Sequence, residues 1–240
     1  MSGCDLVSNG NTPSEKSFRT GSRGITLSFL QNAPPTEIYE ENPFSIGILL
    51  KNEGASGVRN GIVSFSVEDE YIHVENPENR ISFNLDGKSV AMPLGDQLTK
   101  FLKASTKKIN TQSERRESTI IATVCYPYTT VADVSVCIDT DVYGLKTINK
   151  VCYVKDISLS TQGAPVAVTK IESKMLPGEN DDYIKPQFII QVKNVNNGGI
   201  IRKEKFADAC SSESIGIDDL NVINVKAELS GQMMECSPNP

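Results

Sequence analysis

From Gly24 onward the chain alternates apolar and polar residues in short runs, and no other feature constrains its fold as tightly. GITLSFLQ places Ile25, Leu27 and Phe29 on one side, and PFSIGILLKN does the same with Ile46, Ile48 and Leu50. GIVSFSVED, RISFNLDGKS, STIIATVCYPY and DVSVCID repeat the pattern. A period of two sends successive side chains to opposite faces of a strand, so each run reads as a strand with one buried face. Turn residues separate the runs: Ala33-Pro34-Pro35, Asn60-Gly61, Asp86-Gly87 and Tyr143-Gly144. Short strands punctuated in this way predict an all-β fold of the sandwich type. One segment departs from the period. LGDQLTKFLKAS, residues 94–105, spaces Leu94, Leu98, Phe101 and Leu102 along one helical face, and a short helical insertion is expected there.

The pattern restarts after Asp156. PFSIGILLKNEGASG and PQFIIQVKNVNNGG align so that Ile46, Ile48, Leu50, Lys51 and Asn52 match Phe188, Ile190, Val192, Lys193 and Asn194. Both strands run into Asn and then Gly, a turn leaving the sheet. This is an internal repeat, and it predicts two related β-sandwich domains in tandem. The expected organisation is a polar tether over 1–23, a first domain over 24–157 and a second over 158–240. The second spans roughly 80 residues against about 100 for such a sandwich, so it is expected to lack its final strands.

Six cysteines raise the question of chemistry. Zinc needs ligands paired at short spacing, and no Cys-x-x-Cys occurs. A thiol nucleophile needs a base, and His73 is the sole histidine, set in the strand-like run EYIHVE where a solvent-facing position is expected. DVSVCID and NKVCYVK flank the turn region DVYGLKT and read as a hairpin that brings Cys137 opposite Cys152. A disulfide is therefore expected there, with buried free thiols as the alternative. Cys210 and Cys236 are expected as a second pair, and Cys125 as a buried unpaired residue. Disulfides fit an oxidising, extracytoplasmic compartment. The opening MSGCDLV resembles the end of a lipoprotein signal around Cys4 without its basic and apolar regions, so lipidation of Cys4 and an ordinary tail cysteine both stand as readings.

The net charge of −6 and the absence of a basic stripe argue against a nucleic-acid partner. There is no Gly-rich phosphate loop and no Gly-x-Ser-x-Gly. The acidic run ENDD offers Glu179, Asp181 and Asp182 as candidate calcium ligands, against a solvated loop as the plainer reading. Tyr126 and Tyr128 in CYPY read either as sandwich-end packing or as a surface for sugars or partners. No cofactor is implied.

A proline, an alternating strand and Lys-Asn-x-Gly, as in PFSIGILLKNEG, resemble the opening of extracytoplasmic immunoglobulin-like modules in archaeal and bacterial surface proteins, the CARDB and NEW3 groups. The longer set LSFLQNAPPTEIYEENPF, KNEGA, VCYPY, VCID and QGAPVAVTKIE is similar to predicted surface lipoproteins of small-genome archaea, over residues 24–240. That resemblance implies two immunoglobulin-like β-sandwich domains in tandem and a cell-surface location, and no assigned activity. The expected function is thus a non-enzymatic structural or adhesion-type surface protein with a protein or cell-surface partner. A filament subunit assembled by strand donation and a glycan- or calcium-binding module are the alternatives. Membrane contact is expected only through an N-terminal anchor.

Overall fold

The computed structural model describes residues 18–76, 79–109, 115–145, 150–178, 183–211 and 213–238. The alternating runs of the first half become β1 (Ile25–Phe29), β2 (Pro43–Asn52), β3 (Val58–Ser66), β4 (Ile72–Val74), β5 (Arg80–Leu85), β6 (Gln97–Thr106) and β7 (Ile121–Cys125). They form two antiparallel sheets, ordered β1-β2-β6-β4 and β5-β3-β7. Both sheets feed one core: Ile46, Ile48 and Leu50 from β2 meet Val63 and Phe65 from β3, Phe83 and Leu85 from β5, and Leu102 and Ala104 from β6. Ile46, Ile48 and Leu50 lose all exposure to solvent. Burying a side chain of this size contributes roughly 1.5–3 kcal/mol, so these three positions of β2 weigh heavily in the shared core. His73 sits exposed on β4 between buried Ile72 and Val74.

The segment 94–105, expected as a helix, is strand β6. Leu102 pairs with Ile46 and Leu98 with Leu50, and the same residues that share a helical face also fit a period-two register. Leu94 is exposed, and Phe101 is exposed on the outer face, where its ring covers Gly47. The open edge of β2 needs a partner for its backbone groups, and that tertiary demand overrides the local spacing. Gly95 also breaks the segment: its φ is +77°, and a Cβ there would lie 1.8 Å from the Asn52 carbonyl oxygen. The one α-helix among the described residues is α1 (Phe206–Ala209), in the second half.

The second half carries β8 (Ile157–Ser158), β9 (Val166–Pro177) and β10 (Ile184–Asn194) in the order β10-β9-β8, with a small hairpin of β11 (Glu228–Leu229) and β12 (Gln232–Met233). DVSVCID and NKVCYVK, expected as paired strands, take no sheet pairing in their described residues. β3 is already flanked by β5 and β7, and the short helix α1 lies against β7.

The internal repeat has a structural counterpart. Ile25 pairs with Asn52 across β1 and β2, and Val166 pairs with Asn194 across β9 and β10. One residue further on, Glu53 N donates to Gly24 O at 2.8 Å, and Val195 N donates to Pro165 O at 2.8 Å. Asn52 Nδ2 donates to Ser56 O at 2.8 Å while its Oδ1 accepts from Gly54 N at 3.1 Å. Asn194 does the same with Gly198 O at 2.7 Å and Asn196 N at 3.1 Å. An asparagine amide thus replaces the next ladder rung and turns the chain out of the sheet. The two copies differ in packing. Asn52 is fully buried, whereas Asn194 is exposed, and Phe188, Ile190 and Val192 are only half-buried.

The difference sets an expected outcome. Asn52→Ala leaves buried backbone groups unpaired and should cost about 2–3 kcal/mol, while Asn194→Ala in solvent should cost under about 1 kcal/mol. Urea unfolding of both variants checks this; equal losses would mean that burial does not set the cost of the turn.

Candidate functional site: a tyrosine junction and two disulfide-braced segments

The turn after β2, Glu53–Gly57, is where the two halves of the chain meet. Ala55 N donates to Gly163 O at 2.7 Å, and Lys88 N donates to Gly54 O at 2.8 Å. Tyr128 reaches the same turn: its hydroxyl accepts from Ser56 N at 3.1 Å and donates to Gly163 O at 3.2 Å. Ser56 Oγ donates to Thr129 O at 2.6 Å, and Thr130 Oγ1 donates to Val166 O at 2.6 Å. Tyr126 accepts from Ile25 N at 3.1 Å and packs edge-on against Tyr128, ring centres 5.8 Å apart. Of the two readings of CYPY, packing at the sandwich end is the one the contacts describe. Gly54 is obligatory here, since a Cβ would fall 1.9 Å from the Tyr128 hydroxyl. Burial raises both phenols above the ordinary tyrosine value, Tyr128 to about 12, against the lowering effect of its hydrogen bond from Ser56.

Two disulfides brace the segments around this junction. Cys137 and Cys152 are bonded, with Cα atoms 5.9 Å apart. The bond joins two irregular segments and not two rungs of a hairpin. Cys125 and Cys210 are bonded, with Cα atoms 5.8 Å apart. This corrects two expectations: Cys125 is not unpaired, and Cys210 does not pair with Cys236, whose thiol is free. The reason is topological. Cys125 ends β7, and helix α1, which lies against that strand, places Cys210 at its end; a separation of 85 residues leaves no local spacing signal. The loops closed, 85 and 15 residues, correspond to about 4.5 and about 3 kcal/mol of chain entropy.

Comparison of the chain with family models, curated proteins and solved structures returns no match.

Cys4 and the acidic positions Glu179, Asp181 and Asp182 lie outside the described residues. The carboxylates that do form a cluster are Asp139 and Asp141, inside the Cys137–Cys152 bracket. Lys150 Nζ stands 2.7 Å from Asp139 Oδ2 and 3.3 Å from Asp141 Oδ2. The Lys150 hydrogen bond holds the Asp139 carboxyl below the usual range, and the same bond raises the Lys150 ammonium. No local spacing marks DTD as a cluster, because the lysine that organises it lies 11 residues on from Asp139. Tyr143, Leu145, Val151 and Tyr153 are strongly exposed in the same bracket.

Two outcomes are expected. Non-reducing peptide mapping should give linked 125–210 and 137–152 peptides with Cys236 alkylated, and Cys125→Ala/Cys210→Ala should destabilise more than Cys137→Ala/Cys152→Ala. A 210–236 link would overturn the assignment. For Tyr128, the folded value lies above that of the unfolded chain, so the unfolded state loses its proton first as pH rises. The stability held by the neutral phenol is full below about pH 10 and is lost towards pH 12, amounting to about 1.4 kcal/mol by pH 11. Urea unfolding between pH 9 and 11 should therefore slope less in Tyr128→Phe; an unchanged slope would place the titration elsewhere.

Proposed function

We propose that the chain is a non-enzymatic, extracytoplasmic protein of the structural or adhesion type, built from two immunoglobulin-like modules in tandem. The observation that carries this reading is the use of the cysteines. Four of the six lie in two disulfides, and one of these, Cys125–Cys210, ties the sandwich directly to the second half. Disulfides of this kind persist in oxidising compartments. A covalent link between halves, added to the hydrogen bonds of Tyr128, Ala55 and Thr130, fits a protein whose work is to hold a fixed spacing and to present loops. The resemblance of PFSIGILLKNEG to surface modules agrees with this. The repeated asparagine turn supports the tandem reading, with β9 and β10 as counterparts of β1 and β2.

A second reading, a filament subunit assembled by strand donation, is favoured by one observation. β2 has β1 on one side and β6 on the other, whereas its counterpart β10 pairs only with β9 among the described residues. An unpaired edge is a template for an added strand.

Thiol alkylation of intact cells, before any lysis, tests the location. Oxidised cysteines at 125, 137, 152 and 210 are expected; finding them reduced in the native cell would remove the basis for an extracytoplasmic role. Light scattering of purified protein separates the two readings, a monomer agreeing with a spacer and ordered polymers with the filament.

A further inference from the structure

The bracket closed by Cys137–Cys152 holds more than a staple. Asp139, Asp141, Tyr143, Lys150, Tyr153 and, from β9, Met175 line a hollow of about 460 Å³. Its polar groups are fixed before any ligand arrives. Asp139 Oδ1 accepts from Asp141 N at 2.9 Å, and Asp141 Oδ1 accepts from Leu145 N at 2.8 Å. The second oxygen of each carboxylate faces Lys150. Asp139 is the carboxylate through which the hollow can accept further hydrogen bonds, since a carboxylate oxygen has more acceptor capacity than one bond uses. Two of the lining residues are open tyrosines, Tyr143 at 71% and Tyr153 at 72% exposure. Tyrosine held open to water in this way offers a rigid amphipathic face at low entropic cost.

The chemistry narrows the ligand. The Lys150 ammonium occupies the position between the two carboxylates where a metal ion would have to sit, so a bare cation is excluded there. Two carboxylates against one ammonium leave the site negative, so an anion is repelled. A carboxylate that accepts hydrogen bonds from hydroxyls, beside two open tyrosines whose rings can pack on C–H surfaces, matches a neutral saccharide ring. We propose that this hollow binds a neutral glycan and is the point through which the protein makes contact with a surface. The disulfide fixes the two segments that supply the groups, removing ordering entropy from binding.

The inference takes its setting from the extracytoplasmic reading, and the two fail separately. Reduced cysteines in cells would remove the setting and leave glycan binding measurable on purified protein. The probe is an array of neutral oligosaccharides built from glucose, mannose, galactose and N-acetylglucosamine, with uronic and sulfated counterparts, followed by calorimetric titration of the responding sugar. Retention of neutral members over acidic ones is expected. Tyr143→Ala and Tyr153→Ala should each weaken binding by about tenfold, the scale of an aromatic contact. Tyr39→Ala should leave it unchanged, since Tyr39 is an equally open tyrosine outside the hollow, 86% exposed. Non-reducing mapping of each variant confirms that the 137–152 bond has formed. In the unsubstituted protein, NMR shifts on sugar addition should fall on Tyr143, Lys150 and Tyr153. Silence across the neutral array, preference for the acidic members, equal loss in Tyr39→Ala, or shifts elsewhere on the protein would each overturn the proposal.

Discussion

The carboxamide of Asn52 is fully buried at the end of the central strand of the larger sheet, and it replaces the rung that the ladder would otherwise supply. Its oxygen takes the amide of Gly54 and its nitrogen feeds the carbonyl of Ser56. That pair of bonds curls the chain into the Glu53–Gly57 turn. The turn then presents Ala55 and Ser56 amides outward, where Gly163 and Tyr128 meet them. The crossing from β2 to β3 and the bonds that Tyr128 and Gly163 make to this turn depend on this one buried amide. Burial is what gives it leverage, because an unpaired polar group there has no water to fall back on.

The same device appears twice with unequal support. At Asn52 the flanking Ile48 and Leu50 sit in a complete two-sheet core. At Asn194 the flanking Ile190 and Val192 face a cavity of about 1170 Å³ shared with residues of the sandwich and of the 222–229 segment. The second half therefore relies on other restraints. Cys125–Cys210 fixes it to β7, and Cys137–Cys152 fixes the crossing segment that precedes it. Cross-links of this sort take over where a hydrophobic core is thin.

Two kinds of tyrosine emerge from that arrangement. Tyr126 and Tyr128 are consumed by the junction, their hydroxyls satisfied and their phenols held neutral. Tyr143 and Tyr153 stand in water beside an ion-paired cluster. Both pairs lie near turns and would be equivalent by local sequence. Which pair is structural follows from what packs over it, and that is settled by chain segments up to a hundred residues away, as with Ile25 and Tyr126.

By itself the sequence determined the strand character of this protein. Alternation at Ile46, Ile48 and Leu50, at Val63 and Phe65, and at Phe83 and Leu85 fixed which faces are buried, since period and burial are local consequences of strand geometry. It also contained the repeat, because an asparagine turn is encoded by adjacent residues. Tertiary structure alone decided the rest. β6 became a strand because the free edge of β2 required a partner, although Leu94, Leu98, Phe101 and Leu102 are spaced for a helix. DVSVCID, patterned as a strand, takes no sheet pairing and is held instead by the Cys137–Cys152 bond. Cys210 bonded to Cys125 because helix α1 lies against β7, and Lys150 joined Asp139 and Asp141 across a turn. Contacts between distant segments depend on where the sheets leave open edges, and no local pattern carries that information.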